Sequence, residues 1–177
     1  MKKLIFILFL LPLGVMAQIG ISGSNWTFDV EVSTDNSFAE MYNPATVIST
    51  ASSTVYYALA GWTAGLTNNA TADVVDSMMI LNQAGTYKLD WGLSLTHSGT
   101  AVLLHICPFV RDGAGAWTEL TKGEAQVTKA TGGSYSQLSS TCLYELSAGD
   151  TLGIRAKSDK TGNLTISHGN FNVTRIK

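Results

Sequence analysis

The sequence predicts an all-β fold, an antiparallel β-sandwich, and three observations lead to that prediction. Apolar and polar residues alternate strictly in A-G-T-Y-K-L-D-W-G-L-S-L, residues 84–95, which is typical of a strand with one buried face. Similar short runs are separated by turn-forming clusters such as H-S-G-T, S-A-G-D and D-K-T-G-N,. After the N-terminal apolar run, no segment keeps a helical period of 3.6 residues over three turns. Many short strands at this spacing indicate a sandwich or a barrel.

The candidate strands define the predicted domain. They are residues 45–50, 54–60, 77–81, 84–95, 101–110, 117–120, 140–146, 151–157 and 164–176. The preceding residues 18–45 are rich in Gly, Ser, Asn and Thr and contain one short alternating piece, so we interpret them as an arm or edge strand. The predicted division is therefore a leader at 1–17, an arm at 18–45 and a β-domain at 46–177.

The first residues, M-K-K-L-I-F-I-L-F-L-L-P-L-G-V-M-A-Q, resemble a secretory signal with a basic start and a small-residue cleavage site before Gln18,. The apolar run is shorter than the roughly 20 residues that a membrane-spanning helix needs. Cleavage predicts a secreted or cell-surface protein. If residues 1–17 remain, they form a hydrophobic anchor or an assembly peptide such as a virion protein carries, and they are the only segment expected to contact a membrane.

The amino-acid composition limits the classes of partner that the protein is expected to bind. Charged residues make up 14% of the 177 residues, hydrophobic residues 45%, and the formal net charge is -2. This balance argues against disorder. The Lys residues are scattered and the only arginines are Arg111, Arg155 and Arg175, so there is no basic stripe for a nucleic acid.

The titratable residues do not form a catalytic pattern. The three histidines are His97, His105 and His168; there is no H-x-H pair, no G-x-S-x-G elbow and no phosphate-binding loop. We therefore expect no enzyme activity, no cofactor and no metal. If His105 and His168 lie on neighbouring strands they form a metal or pH-sensing pair; the alternative is that all three are packed or hydrogen-bonded histidines.

Residues 101–110 are apolar on both faces, with Val102, Leu104 and Ile106 on one side and Ala101, Leu103, Cys107 and Phe109 on the other. The outer face of an antiparallel sheet is usually wet, so we expect this face to be covered. A neighbouring subunit is one cover, which makes Leu103, His105 and Phe109 interface candidates. The alternative cover is the arm at 18–45.

Two strands are predicted to be irregular. Pro108 lacks a ladder donor, so the strand either ends near Cys107 or bulges at Pro108. In the last strand the apolar parity changes across His168-Gly169-Asn170, which predicts a bulge at Gly169 that directs Phe171 into the core.

Four ordered segments carry a resemblance to a known family. They are A-G-T-Y at 84–87, the doubly apolar strand ending in R-D-G, L-Y-E-L-S-A-G-D-T-L-G-I at 143–154, and a last strand that reaches the C-terminus. This order resembles the jelly roll of the tumour necrosis factor and complement globular-head superfamily, including its bacterial and phage versions. The resemblance implies a TNF-like jelly roll and a homotrimer packed about a threefold axis by strand faces that are otherwise wet.

If the family order holds, Cys107 and Cys142 lie on adjacent strands of one sheet. In an exported protein this implies a disulfide that closes about 35 residues and stabilises the fold by about 3 kcal/mol. The alternative is two buried free thiols.

Two hypotheses for function follow. The first is a non-enzymatic trimeric surface protein whose loops bind a host-surface glycan or a protein receptor. Its contact candidates are His97, Ser98, Arg111, Asp112, Trp117 and Asp159 to Asn163. Trp117 is the strongest because an indole stacks on sugars and packs on partners; the alternative is that Trp117 is a core residue.

The second hypothesis is structural. The same trimer then forms a virion spike, fibre head or capsid decoration, with other virion proteins as partners and the arm as attachment peptide. A secreted bacterial adhesin or lectin-like surface protein is the alternative setting.

Overall fold

The structure is a computed structural model that describes residues 16–22, 25–31, 36–43, 46–50, 54–113 and 115–177. It divides the chain into two units, Met1–Asn36 and Ser37–Lys177. In the first unit, β1 (Met16–Ser22) pairs with β2 (Asn25–Glu31) in antiparallel register. Residues 1–15, most of the predicted signal, lie outside the described residues. Within the described part of the chain, no helix has the length and apolar character needed to cross a membrane.

The described residues of the second unit form thirteen strands. They are β3 (Phe38–Asn43), β4 (Thr46–Thr50), β5 (Tyr57–Ala58), β6 (Thr63–Asn68), β7 (Ala70–Asp73), β8 (Met78–Leu81), β9 (Gly85–His97), β10 (Val102–Arg111), β11 (Trp117–Glu119), β12 (Ala125–Lys129), β13 (Ser136–Leu146), β14 (Thr151–Ser158) and β15 (Gly162–Arg175). A 3-10 turn at Thr121–Gly123 separates β11 from β12.

These strands form two antiparallel sheets that pack as a sandwich. The six-stranded sheet has the order β13-β9-β15-β3-β6, with β4 also paired to β15. The seven-stranded sheet has the order β11-β10-β14-β8-β7, with β12 also paired to β10 and β5 to β14. The predicted all-β sandwich is confirmed, and it begins at β3, earlier in the chain than residue 46.

The alternation that predicted a strand at 84–95 is realised in β9. Its apolar residues point between the sheets and are at most 3% exposed: Tyr87, Leu89, Trp91, Leu93 and Leu95. The two buried polar groups of these aromatic side chains have hydrogen-bond acceptors. Trp91 Nε1 donates to Gly123 O at 2.9 Å, and Tyr87 OH donates to Gln83 O at 2.8 Å. Each buried aliphatic or aromatic side chain contributes about 1.5–3 kcal/mol, so β9 anchors the core.

Gly85 is required where β9 begins. Its φ is +155°, and a β-carbon there would lie 2.2 Å from the backbone oxygen of Lys177. That same oxygen accepts a hydrogen bond from Thr86 N at 2.8 Å. The start of β9 is therefore held against the C-terminus, and any side chain at Gly85 would separate them.

Pro108 lies inside a continuous strand, so both predicted alternatives, an ending at Cys107 and a bulge, are wrong. On one edge, β10 pairs with β12 over Val102–Ile106 and with β11 over Phe109–Arg111. Pro108 falls in the gap between these two partners, where no ladder donor is needed. Its carbonyl still accepts Leu120 N at 2.9 Å.

The predicted bulge in the last strand exists at a neighbouring position. The register of β15 against β9 shifts between Ile166 and His168 rather than at Gly169. Beyond the shift Phe171 pairs with Trp91 and is fully buried. The extra residue directs Phe171 inward, as expected.

Candidate functional site

Outward-facing residues of the seven-stranded sheet form the feature that we call the outer patch. On β10 and β14 the even-numbered residues around this point face the core, so the odd-numbered ones face outward,. The register places Arg111 beside Trp117 of β11 and Phe109 beside Gly153 of β14. The outer patch consists of Tyr56, Phe109, Arg111, Trp117, Arg155 and Lys157.

Trp117 is the centre of the outer patch. Its half-buried indole lies over Gly153, where a β-carbon would be 3.5 Å from ring atom Cη2. The guanidinium carbon of Arg155 lies 4.4 Å from the ring centroid, and that of Arg111 lies 5.0 Å from it. One indole therefore contacts two arginines, a cation–π arrangement supported by the strands beneath.

The charge of these arginines is not neutralised within the described residues, where neither guanidinium forms an ion pair with a carboxylate. Arg111 Nε is buried without a hydrogen-bond partner, and its Nη2 donates to Met78 Sδ at 3.6 Å. Burial, together with the positive charge of Arg111, lowers the pKa of Arg155. Arg111 and Arg155 therefore lie beside an aromatic surface without an ion-pair partner among the described residues, while Glu119 and Glu124 act on the Tyr56 and Lys157 end of the patch.

Tyr56 covers the other end of the patch. Its ring meets Phe109 edge-on, with centroids 4.8 Å apart, and Lys157 Nζ lies 4.4 Å from the Tyr56 centroid. Burial, then the charges of Glu119 and Glu124, raises the pKa of Tyr56. Tyr56, which precedes β5, therefore covers Phe109 of β10 within the chain, and the contact of a subunit with Leu103 and His105 stays a prediction.

The interface candidates on β10 differ in how much of each side chain is exposed to a partner. Phe109 is 5% exposed, so the single chain already buries most of it. Leu103 and His105 are half-buried on the same outward face. His105 Nδ1 lies 2.7 Å from Glu124 Oε1, which gives this histidine an internal partner.

The predicted loop contacts do not form one site, because they lie at opposite ends of β10. Arg111, Asp112 and Trp117 are at its C-terminal end, and Asp112 is exposed. His97, Ser98 and Asn163 are near its N-terminal end, where Ser98 N donates to Asn163 O at 3.0 Å. Ten residues of strand separate the ends by roughly 30 Å.

The prediction that His97 contacts a ligand is wrong, because this side chain is fully buried. Its Nδ1 accepts Gly99 N at 3.0 Å, and its Nε2 lies 3.1 Å from Thr50 Oγ1. Burial, reinforced by the charge of Lys129, lowers the pKa of His97. A ligand has no access to this ring.

An open groove of about 600 Å³ lies on the outward face of the six-stranded sheet. Its floor is Gly92, where a β-carbon would lie 3.0 Å from Asn170 Oδ1. Polar side chains line it: Ser94, Gln137, Ser139, His168 and Asn170.

The structure separates two of the histidines. His105 lies on β10 of the seven-stranded sheet and His168 on β15 of the six-stranded sheet, so the two histidines do not form a metal or pH-sensing pair. The described residues contain no group of three or more His, Cys, Asp or Glu arranged for a metal.

Cys107 and Cys142 are buried free thiols. Cys107 lies on β10 of the seven-stranded sheet and Cys142 on β13 of the six-stranded sheet, so the expectation that they neighbour each other in one sheet is wrong. Pro108 and Gly123 lie close to Cys142: a β-carbon on Gly123 would be 2.7 Å from both Cys142 Sγ and Pro108 Cγ. Burial raises the pKa of Cys107 to about 12 and that of Cys142 to about 11.

Arg155, Lys157 and Tyr56 were missed by the sequence reasoning. The signal for the first two is present in T-L-G-I-R-A-K, where Gly153, Arg155 and Lys157 share the parity opposite to the apolar residues,. Tyr56 has no comparable signal, because its contact with Phe109 joins segments more than fifty residues apart.

No family model and no curated protein matches the sequence. Eiger TNF from S. frugiperda superposes with a TM-score of 0.61 at 9% identity, covering 80% of this chain and 93% of that chain. Murine APRIL at pH 5.0 and at pH 8.0 gives TM-scores of 0.59 and 0.56 at 15% and 16% identity, covering 80% of this chain and 100% of each of those chains. These similarities confirm the expected fold: the sandwich is a TNF-like jelly roll.

Proposed function

We propose that the chain is a non-enzymatic homotrimeric binding protein, secreted or displayed at a surface, that recognises a receptor or a glycan. The jelly roll supports the proposal, since the superfamily that the sequence resembles is typically trimeric. The observation that carries it is the outward face of the six-stranded sheet. Three exposed apolar side chains interrupt its polar surface: Tyr42, Val47 and Leu143 are 46%, 62% and 50% exposed.

The same face offers polar groups for contacts between copies of the chain. Lys88 Nζ pairs with Asp90 Oδ2 at 2.8 Å, and Asp90 Oδ1 accepts Thr141 Oγ1 at 2.5 Å. Contact with another copy would remove the exposed apolar side chains of this face from water, which favours association. A second and a third copy of this chain are the occupants that we propose for this face.

Ser139→Arg tests the interface, because Ser139 lies in the groove and is exposed. Three like charges brought together at a threefold interface repel and lose their hydration. We expect analytical ultracentrifugation to give a trimer for the wild type and a monomer for this variant. Thr128→Arg, on the outward face of the seven-stranded sheet opposite Leu103, is the matched control and stays trimeric.

Two other results have definite meanings. A wild type that is monomeric at micromolar concentration contradicts the proposal. If Thr128→Arg dissociates the trimer and Ser139→Arg does not, the interface lies on the face that carries Leu103 and His105.

We further propose a virion spike, fibre head or capsid decoration as the setting, with a secreted bacterial adhesin as the alternative. The β1–β2 pair supports an attachment role, because it belongs to a unit separate from the sandwich. Deletion of residues 18–36 leaves β3 intact and separates the settings. A virion protein loses incorporation into particles, whereas a free-standing adhesin keeps its binding to cells.

A further inference from the structure

We propose that the outer patch binds the anionic group of an acidic glycan, a carboxylate or a sulfate, with Arg111 and Arg155 holding the anion while Trp117 stacks on the sugar. The proposal rests on the binding function above and names its ligand class. It also adds Arg155 as a contact residue.

The first argument is charge. Two guanidinium groups lie within 5.0 Å of one indole centroid, and both are half-buried. Neither arginine takes part in the Lys88–Asp90 ion pair or in the contact between His105 and Glu124. Two like charges in a partly desolvated site repel each other, and a bound anion between them removes that repulsion.

The second argument is an unsatisfied donor. Arg111 Nε is buried and has no acceptor among the described residues. A buried donor without an acceptor costs about 1–3 kcal/mol, and an oxyanion recovers that cost only where it accepts from Nε itself. Carboxylate and sulfate oxygens match the planar fork of arginine, which donates two parallel hydrogen bonds.

The third argument is preorganisation. Each of the three residues is mounted on a strand: Arg111 on β10, Trp117 on β11 and Arg155 on β14. The indole is supported by Gly153, and both arginines already lie against the ring. Little side-chain entropy remains to be lost on binding.

A sugar fits this surface better than an acidic peptide does. A half-buried indole provides a flat apolar surface of the kind on which sugar rings stack. An extended peptide would add to the sheet as a further strand, but the edge strand beside the patch, β11, is only three residues long. The patch therefore offers one aromatic platform with two cations and little edge for backbone pairing.

Isothermal titration calorimetry on the full chain tests the site with three probes. A heparin-derived hexasaccharide carries sulfate, a sialic acid tetramer carries carboxylate alone, and a neutral dextran oligosaccharide carries no charge. We expect at least one acidic probe to bind and dextran not to bind. Arg111→Gln and Arg155→Gln each weaken that binding at least tenfold, about 1.4 kcal/mol, whereas Lys177→Gln, which removes the same charge at the exposed C-terminus, leaves it unchanged.

Arg→Lys variants separate geometry from charge. Because lysine keeps the charge but lacks the fork, Arg155→Lys retains the fold and recovers only part of the affinity. The preferred probe identifies whether sulfate or carboxylate is the natural group. Equal affinity of the wild type and the Arg111→Gln, Arg155→Gln double variant overturns the site, and so does failure of both acidic probes to bind the wild type.

Failure here is distinguishable from failure of the proposed function. A trimer that still binds cells after both arginines are replaced keeps its binding function and overturns only the acidic-glycan site. A monomer that binds no cells refutes the proposed function itself.

Discussion

Trp117 lies directly against Gly153, so that a β-carbon on the glycine would be 3.5 Å from Cη2 and 3.7 Å from Cζ3 of the indole. The contact joins β11 to β14 across β10. It holds the indole at the place where the guanidinium groups of Arg155 and Arg111 lie 4.4 Å and 5.0 Å from the ring centroid. A methyl group at Gly153 would fit at ordinary contact distance from the indole, so only a larger side chain would displace the ring.

This contact predicts different outcomes for two small substitutions at Gly153. Gly153→Ala places its methyl group at ordinary contact distance, so we expect tryptophan emission and stability close to wild type. Gly153→Val forces the ring outward at a cost of about 1–3 kcal/mol. Urea unfolding and acrylamide quenching of tryptophan fluorescence measure both effects; equal quenching in the two variants would contradict this position of Trp117.

The burial of both cysteines predicts inert thiols. Since their pKa values are raised to about 12 and about 11, the thiolate fraction at neutral pH is very small. We expect a chromogenic disulfide reagent to detect no thiol in the native protein and two in guanidinium chloride. Two thiols reacting at once in the native state would show that the burial is wrong, and none after denaturation would show a disulfide.

We expect that replacing the buried Lys129 by an uncharged residue stabilises the fold. This lysine is 2% exposed, its Nζ has no hydrogen-bond partner, and burial lowers its pKa. Lys129→Met keeps the length and removes the charge, so we expect the free energy of unfolding to rise by about 1–4 kcal/mol. Lys177→Met, at an exposed position, is the control and changes little.

The same lysine makes stability depend on alkaline pH. The folded-state pKa is below that of the unfolded chain, so between the two values the unfolded chain binds more protons and stability rises with pH. The raised pKa values of Cys107 and Cys142 lower the stability of the wild type and of Lys129→Met alike in this range, so the test is the difference between the two proteins. We expect the stability advantage of Lys129→Met to shrink as the pH approaches 10.5; a constant difference across the range is the contrary result.

His97 predicts a loss of stability in acid. Its folded-state pKa is lowered from 6.5, so the contribution of the neutral ring is complete above that value and declines as pH falls below it. Protonation would also place a donor opposite Gly99 N, which already donates to Nδ1. We expect the loss of stability between pH 7 and pH 5 to be smaller in His97→Gln than in wild type, while His168→Gln, at an exposed histidine, preserves it.

Local pattern was sufficient for much of the fold. The alternation in β9 predicted which side chains are buried, and the parity change near His168 predicted a bulge within two residues of its position. Both signals are carried by adjacent residues, because a strand has a period of two. Pro108 was misjudged, since its tolerance depends on where two partner strands begin and end rather than on β10 itself.

The candidate site depended more on distant segments. Trp117 and Arg111 were identified as contacts from their loop position, and the register of β10 with β11 places them side by side. Arg155 joined them only through the pairing of β10 with β14. His97 was assigned to a surface loop, but Thr50 and Gly162 enclose it together with residues of its own turn.

The sequence by itself determined nine of the described strands of the sandwich, the inward face of β9 and the all-β class, because backbone alternation and turn chemistry act between near neighbours. It did not predict β3, β6, β7 and β12. The tertiary structure alone decided which strands share a sheet. That placed Cys107 and Cys142 in opposite sheets, separated His105 from His168 and brought Arg155 to Trp117. These pairings are long-range, and their energy comes from burying one sheet against the other, which no local pattern encodes.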